Sequence, residues 1–386
     1  MANPLQKVNM TTLEISTTNN VVVCPCTHYQ IDLIKFLKSK NHYVIGINPV
    51  STEATKLCDV HVKMDIFSTD EIVKLLPPVK AVFTDQSDIA VIPCQRIAES
   101  IDVKRNSIES IRRFSCDKIG MYNHAKSQNI DVLDFEFVRS EQEIQMPLPF
   151  ILKPSDSTNS RGVFLVLKQE KVSELFAKSL AFSKNKVIIA QKYGDSKFQI
   201  TVEGICVSGK HYCLASSYKG DYLTPSMCDS LRWPLADKLN AQKLSEIYSI
   251  VNKFVVSTNI DFCITHAELI LIGDRVCLNE IGCRGGGFNI SSKIVNWVSG
   301  VDFYEVIYQY LMNEISIIPV EVKQRAALLK FFTANESVNN HPHILDHNRI
   351  ENIEYIPNPT GVRNGYLIAV AESSQEINEN DYFCRL

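Results

Sequence analysis

The stretch 264–289, ITHAELILIGDRVCLNEIGCRGGGFN, constrains this chain more than any other. Two apolar runs, 264–272 and 276–281, flank Gly273-Asp274-Arg275, and turn residues between two β-rich runs signal a hairpin. A three-residue turn over Gly273–Arg275 sets Ile272 opposite Val276, Ile270 opposite Leu278 and Glu268 opposite Glu280, all on one face. A two-residue Gly273-Asp274 turn shifts the register by one and sets Glu268 against Asn279 instead. Like charges directly opposed across strands are destabilising, so an opposed Glu268 and Glu280 require either a raised pKa on one of them or a cation between them. Mg²⁺ is typically held by one or two carboxylates plus substrate phosphates. Arg284 and the glycine run 285–287 favour the metal, because they put a fixed cation beside backbone that a phosphoryl group can approach closely. Taken alone, the same residues also describe an edge hairpin with solvated glutamates.

At 386 residues the chain has room for two or three domains. Its 45% hydrophobic and 22% charged residues are ordinary globular composition. A net charge of −3 without any Lys/Arg block argues against a nucleic-acid partner. The first twenty residues are polar and lack a basic start and an apolar run, and nothing approaches a membrane span. A cytoplasmic protein with no membrane partner is expected. The twelve cysteines are scattered through apolar runs (Cys206, Cys213, Cys263, Cys277) without a C-x-x-C, which predicts reduced core thiols. The close pair Cys24 and Cys26 lacks further metal ligands nearby.

Taken in order, the chain opens with strands at Val21–Pro25, Tyr43–Pro49, Val60–Met64 and Ala81–Asp85, separated by helices at Tyr29–Ser39, about Thr69–Leu76 and about Ile89–Ile101. This alternation predicts a parallel sheet with its ligand loops at the strand C-termini. The first turn has no G-x-G-x-x-G, so the domain is Rossmann-like without being a dinucleotide domain. Thr84, Asp85 and Asp88 either face a substrate or cap the next helix. A helical link over 105–145 carries Asp117-Lys118, and Pro149–Pro154 is a strand ending in Lys153. The polar loop Ser155–Gly162 follows, with a return strand at Val163–Leu167. Such a loop offers hydroxyls and backbone N–H groups to phosphates, and Lys153 a point charge. Val187–Tyr193 and Phe198–Val207 read as a strand pair around a Gly-Asp-Ser turn, with Gln191, Lys192 and Tyr193 placed to frame a flat ring and Gln199 to bond a sugar. Residues 211–240 read as an irregular aromatic and cationic loop. Asp237–Val256, Ser291–Val298 and Asp302–Met312 read as helices, the second with its N-terminus placed to hold an anion, and a β-rich segment closes the chain.

These pieces in this order resemble the ATP-grasp superfamily of carboxylate–amine ligases, over about residues 20 to 375. The order is a glycine-poor Rossmann-like domain, D-K, then K-P with a small-residue loop and S-R-G-V, a hinge strand, H-x-E, and E-x-x-x-R-G-G-G. The resemblance implies a mixed α/β and α+β chain: a tail over 1–20, a Rossmann-like pre-ATP-grasp domain over 21–104, and an ATP-grasp fold of two α+β subdomains over 105–210 and 211–386. It implies ATP and Mg²⁺ (or Mn²⁺) as cofactors. Lys118 and Lys153 would lie on the phosphates, Ser157, Ser160 and Arg161 in the phosphate loop, Gln191, Lys192 and Tyr193 at the adenine hinge, Gln199 at the ribose, and Glu268 and Glu280 on the metal. Arg284 would stabilise an acyl phosphate, with Lys153 as the second catalytic group. Glutamines stand where the family usually has acids at the hinge and ribose. Gly282 stands where many members have a metal-binding asparagine, so a second metal would need water or Asn289. The implied reaction joins a small-molecule carboxylate to an amino-acid-like amine with ADP formation, and a homodimer is one assembly compatible with it. The rival readings are the same chemistry with a thiol or bicarbonate acceptor, and a nucleotide-binding protein without turnover.

Overall fold

Short apolar runs separated by amphipathic helices are buried most simply as adjacent parallel strands with helices on both faces. The computed structural model describes residues 19–158, 160–194, 198–224, 227–313, 322–333, 336–338, 349–355, 362–377 and 383–385. It opens with β1 (Asn20–Val23), α1 (Ile31–Ser39), β2 (Tyr43–Ile47), α2 (Glu53–Leu57), β3 (Val60–Val62), α3 (Thr69–Leu75), β4 (Ala81–Phe83) and α4 (Asp88–Ser100). The four strands form a parallel sheet in the order β3-β2-β1-β4. Val21 to Val23 are completely buried, as a central parallel strand demands. The short α2, capped by Thr52, is an element that apolar periodicity alone does not reveal.

Next come α5 (Ile108–Ile111), α6 (Lys118–Ser127), β5 (Phe135–Val138), β6 (Phe150–Pro154), β7 (Phe164–Val166), α7 (Val172–Leu180) and β8 (Ile188–Lys192). The Asp117 side chain caps α6 by accepting from Gly120 N. The strands make an antiparallel sheet ordered β5-β8-β6-β7. The link expected to be helical therefore contributes a strand, and α7 lies where the sequence reading placed no element.

The rest comprises β9 (Phe198–Val207), β10 (Lys210–Lys219), β11 (Tyr222–Thr224), β12 (Met227–Cys228), β13 (Ser230–Trp233), α8 (Ala241–Ser257), β14 (Phe262–Ile272), β15 (Arg275–Gly282), α9 (Val295–Ser299), α10 (Phe303–Leu311), β16 (Ala326–Phe332), β17 (Glu336–Val338), β18 (Arg349–Tyr355), β19 (Gly365–Ala371) and β20 (Phe383–Arg385). An eight-stranded sheet runs β15-β14-β9-β10-β13-β16-β19-β18. Two expectations are corrected here. β8 and β9 are not a pair, since β8 lies between β5 and β6 while β9 lies between β14 and β10, so the chain changes sheets between Lys192 and Phe198. The loop expected over 211–240 contains β10 and β13, interior strands of the large sheet. Cys213 packs into the core under α8 and Leu214 into the core under α9, so both faces are covered and the polar alternation that announces a strand is absent.

One core unites Val21 of β1 and Leu33 and Leu37 of α1 with Phe303 and Ile307 of α10 and Ile368 of β19. Among the described residues the cysteines are free thiols, and no helix is long and apolar enough to cross a membrane.

Candidate active site

The β14–β15 hairpin turns through two residues, not three: Ile272 pairs with Arg275, Ile270 with Cys277 and Leu269 with Leu278. Gly273 takes φ 57 in that turn, a conformation a side chain disfavours. This register alone would set Glu268 against Asn279, but a β-bulge between Glu268 and Leu269 skips Asn279 and restores Glu268 opposite Glu280. The expected pairing stands, produced by a bulge instead of a longer turn, and bulges of this kind re-aim side chains.

Each glutamate is met by a lysine from another element. Lys219 Nζ at the end of β10 lies 2.7 Å from Glu268 Oε2, and Lys118 Nζ at the start of α6 lies 3.3 Å from Glu280 Oε1. His266 Nε2 is 3.6 Å from Glu268 Oε1, while its Nδ1 is 2.6 Å from Oε1 of the fully buried Glu203. Burial opposes the charge of Glu268, but Lys219 and His266 outweigh it and hold the carboxyl well below the usual range. Burial likewise works against charged His266, and Glu203 overcomes it, lifting the imidazole to about 9. Lys118 is desolvated too, yet Glu280 and Asp88 keep its ammonium above the ordinary lysine range.

Lys153, almost fully buried at the end of β6, donates from Nζ to the Tyr122 hydroxyl at 2.9 Å. Gln191 Nε2 donates to the same oxygen at 3.0 Å, and Tyr122 donates to the Asn279 carbonyl at 2.8 Å. The bulged residue thus ties the smaller sheet to the glutamate hairpin. Among the described residues no carboxylate lies within ion-pair distance of Lys153. Tyr122 went unnoticed in the sequence, although it lies four residues after Lys118 and therefore on the same helix face. Lys118 also donates to the Ser157 carbonyl at 2.9 Å, bringing the loop 155–162 over the same centre. Ser160 takes φ 54. Arg161 is exposed, with Nε 3.4 Å from the Thr158 carbonyl, and Asn159 lies outside the described residues. Gln199 Oε1 accepts from Lys219 at 3.2 Å, placing it beside Glu268.

Three expected contacts are placed differently. The Lys192 side chain turns outward to Asp134 at 3.4 Å. The amides of Lys192 and Tyr193, expected to frame a ring, donate to the carbonyls of Asp134 and Pro149 at 2.9 and 3.2 Å, because the strand is hydrogen-bonded on both sides. The Asn289 side chain reaches the Tyr366 hydroxyl at 3.0 Å, so it is engaged with β19.

Arg284 grips Asp88, not Glu268 or Glu280: its Nε and Nη2 lie 2.9 and 2.6 Å from Asp88 Oδ2, and Nη1 donates to the Gly285 carbonyl at 3.0 Å. The other Asp88 oxygen accepts from Ser115 at 2.8 Å. Burial raises the Asp88 pKa, but Arg284 prevails and holds it below the ordinary value. Asp85, fully buried, accepts from Gly285 N at 3.0 Å and Ser291 Oγ at 2.7 Å; desolvation dominates there and its pKa is raised. Ser291, the first residue of the helix expected over 291–298, is thus engaged by its hydroxyl with Asp85, and the two aspartates lock the glycine run to the first domain. Gly282 is explained by the same lock, since a Cβ there would lie 3.1 Å from Asp88 Oδ1 and 3.2 Å from Ser115 Oγ.

Among the described residues no three His, Cys, Asp or Glu side chains are grouped to hold a metal. The opposed pair Glu268 and Glu280 could hold a hard cation such as Mg²⁺ if phosphate oxygens completed its shell.

No protein-family model matches the chain. A D-alanine–D-alanine ligase of Campylobacter concisus is 23% identical over 167 residues, 42% of this chain and 48% of that protein; the match spans about half of that relative. Among solved structures, an L-amino acid ligase from Bacillus licheniformis superposes with a TM-score of 0.78 at 17% identity, covering 94% of this chain and 95% of that one. Phosphoribosylglycinamide synthetase from Anaerococcus prevotii gives 0.71 at 17% identity, covering 95% and 99%. Carboxyaminoimidazole ribonucleotide synthase from Aspergillus clavatus, complexed with ATP, gives 0.74 at 15% identity, covering 93% and 95%. A Rossmann-like sheet followed by two α+β units, matched over nearly the whole length by these ligases, shows that this chain has the ATP-grasp fold.

Proposed function

We propose that the protein is an ATP-dependent ligase that activates a small-molecule carboxylate as an acyl phosphate and joins it to an amine in an amide or peptide-like bond, releasing ADP and phosphate. The observation that carries this reading is the bulge-set opposition of Glu268 and Glu280, each neutralised by a lysine from another element. Glu268 and Glu280 would hold Mg²⁺, which would supply charge neutralisation at phosphoryl oxygens. The nearly buried Lys153, with no carboxylate beside it among the described residues, is a cation awaiting an anion, and ATP phosphates answer it. Lys118 joins it from α6, with Ser157, Ser160 and Arg161 closing over the phosphates. Gln191 and Tyr193 border the base and Gln199 the sugar. Arg284, held by Asp88, supplies positive charge to the acyl phosphate. Chemistry of this kind rests on positioning and neutralisation more than on covalent help.

The test is ADP and phosphate release with pairs of amino acids, with and without Mg²⁺. Release that requires both the metal and a carboxylate–amine pair supports the reading; ADP formed without acceptor, or none with any pair, overturns it. Product analysis separates an amide from the thioester or carboxyphosphate that a thiol or bicarbonate acceptor would give.

A further inference from the structure

Next to the carboxylate pair lie two buried donors that nothing among the described residues satisfies. The Tyr222 hydroxyl and the Arg363 Nε are buried and without a hydrogen-bond partner among the described residues. Buried polar groups are almost always paired, so an orphan calls for a missing partner. Both border the same residue: Tyr222 is the cross-strand partner of Cys228, and Arg363 Nη2 donates to the Cys228 carbonyl and lies 3.6 Å from its sulfur.

The Arg363 guanidinium sits 3.6 Å from the Phe331 ring centroid and 5.9 Å from that of Phe288, so its plane is fixed against aromatic faces. Phe288 directly follows the glycine run. No carboxylate lies within ion-pair distance of Arg363 among the described residues; neighbouring Asp229 is taken by Lys330 at 2.6 Å and by Ser230 at 2.8 Å. Glu268 is close enough for its charge to act on both Tyr222 and Arg363, which puts the pair at the edge of the reaction centre. Nε and Nη2 form the side-on edge of the guanidinium fork. Cys228 engages Nη2, and the Nε–H on the same edge is left without a partner among the described residues; this is the edge through which a guanidinium receives a carboxylate.

We propose that Arg363 and Tyr222 frame a subsite for a carboxylate that the reaction does not consume, so that one substrate is an amino acid or a dicarboxylic acid. The place of this carboxylate in turnover rests on the ligase reading; the binding preference does not. The carboxylate has two possible sources, the α-carboxylate of an amino-acid acceptor or the second carboxylate of the activated acid.

The test is calorimetric titration of the full chain, with Mg²⁺ and a non-hydrolysable ATP analogue present, using the proteinogenic L-amino acids, their α-carboxamides, and succinate and glutarate beside their monoamides. At least one acid should bind about tenfold or more tighter than its amide, the scale of one charge-assisted hydrogen bond. Arg363→Gln should reduce that preference to about threefold or less, and Tyr222→Phe, which removes one oxygen and threatens folding little, should weaken the acid about threefold while leaving the amide unchanged. Preference among the amino acids assigns the subsite to the acceptor, and preference among the dicarboxylates to the donor. The proposal is overturned if no acid binds, if acid and amide bind equally, or if the preference survives in both variants. Acid-selective binding without ADP release would sink the ligase reading and leave the subsite standing.

Discussion

Glu280 is the residue whose removal separates chemistry from folding most cleanly. It is partly exposed, and Lys118 retains the Ser157 carbonyl without it. Glu280→Gln should lower the rate of ADP release by about 10²-fold or more, as when an electrostatic contact to a transition state is lost, with the melting temperature unchanged; EDTA should abolish the wild-type reaction. His211 poses the opposite case, a structural group with a pH signature. It is buried between Asn252 Oδ1 at 2.6 Å and Thr265 Oγ1 at 2.9 Å, and burial depresses its pKa to about 4. Because the unfolded chain takes up this proton near pH 6.5 and the folded one only near 4, stability is complete above 6.5 and declines as pH falls toward 4. The decline amounts to about 1.4 kcal/mol per pH unit in that window, or about 2 kcal/mol by pH 5. Denaturant melts at pH 7 and 5 should show this loss in the wild type and a smaller one in His211→Gln.

Among the elements, the loop 155–162 has firmly held ends. Ser155 N donates to the Val187 carbonyl at 3.0 Å, Asp156 Oδ2 accepts from the amides of Lys184 and Asn185 at 2.9 and 2.8 Å, and Ser179 holds the Gly162 carbonyl at 2.8 Å. If the loop acts as a lid between these ends, ATP with Mg²⁺ should raise hydrogen-exchange protection at Thr158 and Arg161 while leaving 155 and 162 unchanged. Equal protection with and without nucleotide would refute a lid. How far elements were legible in the sequence follows from what covers them. The first sheet reads easily, because Val21–Val23 and Ala81–Phe83 are continuous apolar runs between helices. β10 does not, because cores on both sides erase its alternation, and β13 is too short, with only Leu231 and Trp233 to carry a period. α7 carried a readable signal in Val172, Leu175, Phe176 and Ser179, one face of a helix. The glutamate pairing was legible and its cause was not: no residue type announces a bulge at Asn279, and the hub at Tyr122 depends on that bulge.

At the scale of the whole molecule, the first domain is a working part of the site, since Asp85 and Asp88 hold the loop that carries Arg284. Arg284→Lys keeps the charge and loses the fork, and should cut kcat by about 10²-fold with the KM for ATP little changed; a raised KM with unchanged kcat would make it a nucleotide contact instead. Asp85→Ala leaves the Gly285 amide and the Ser291 hydroxyl without their acceptor and should cost about 2–4 kcal/mol by urea unfolding, with kcat reduced and nucleotide affinity retained. The bulge at Asn279 has a consequence for how the protein tolerates changes of length. Deleting Asn279 would straighten the ladder with Glu268 still facing Glu280, yet it would take away the carbonyl through which Tyr122 positions Lys153 and Gln191. Replacing its side chain would leave that carbonyl in place. A scan of substitutions and single-residue deletions along β15 should therefore find position 279 permissive in identity and intolerant of loss, a place where the reading frame of the strand, and not its chemistry, is under selection.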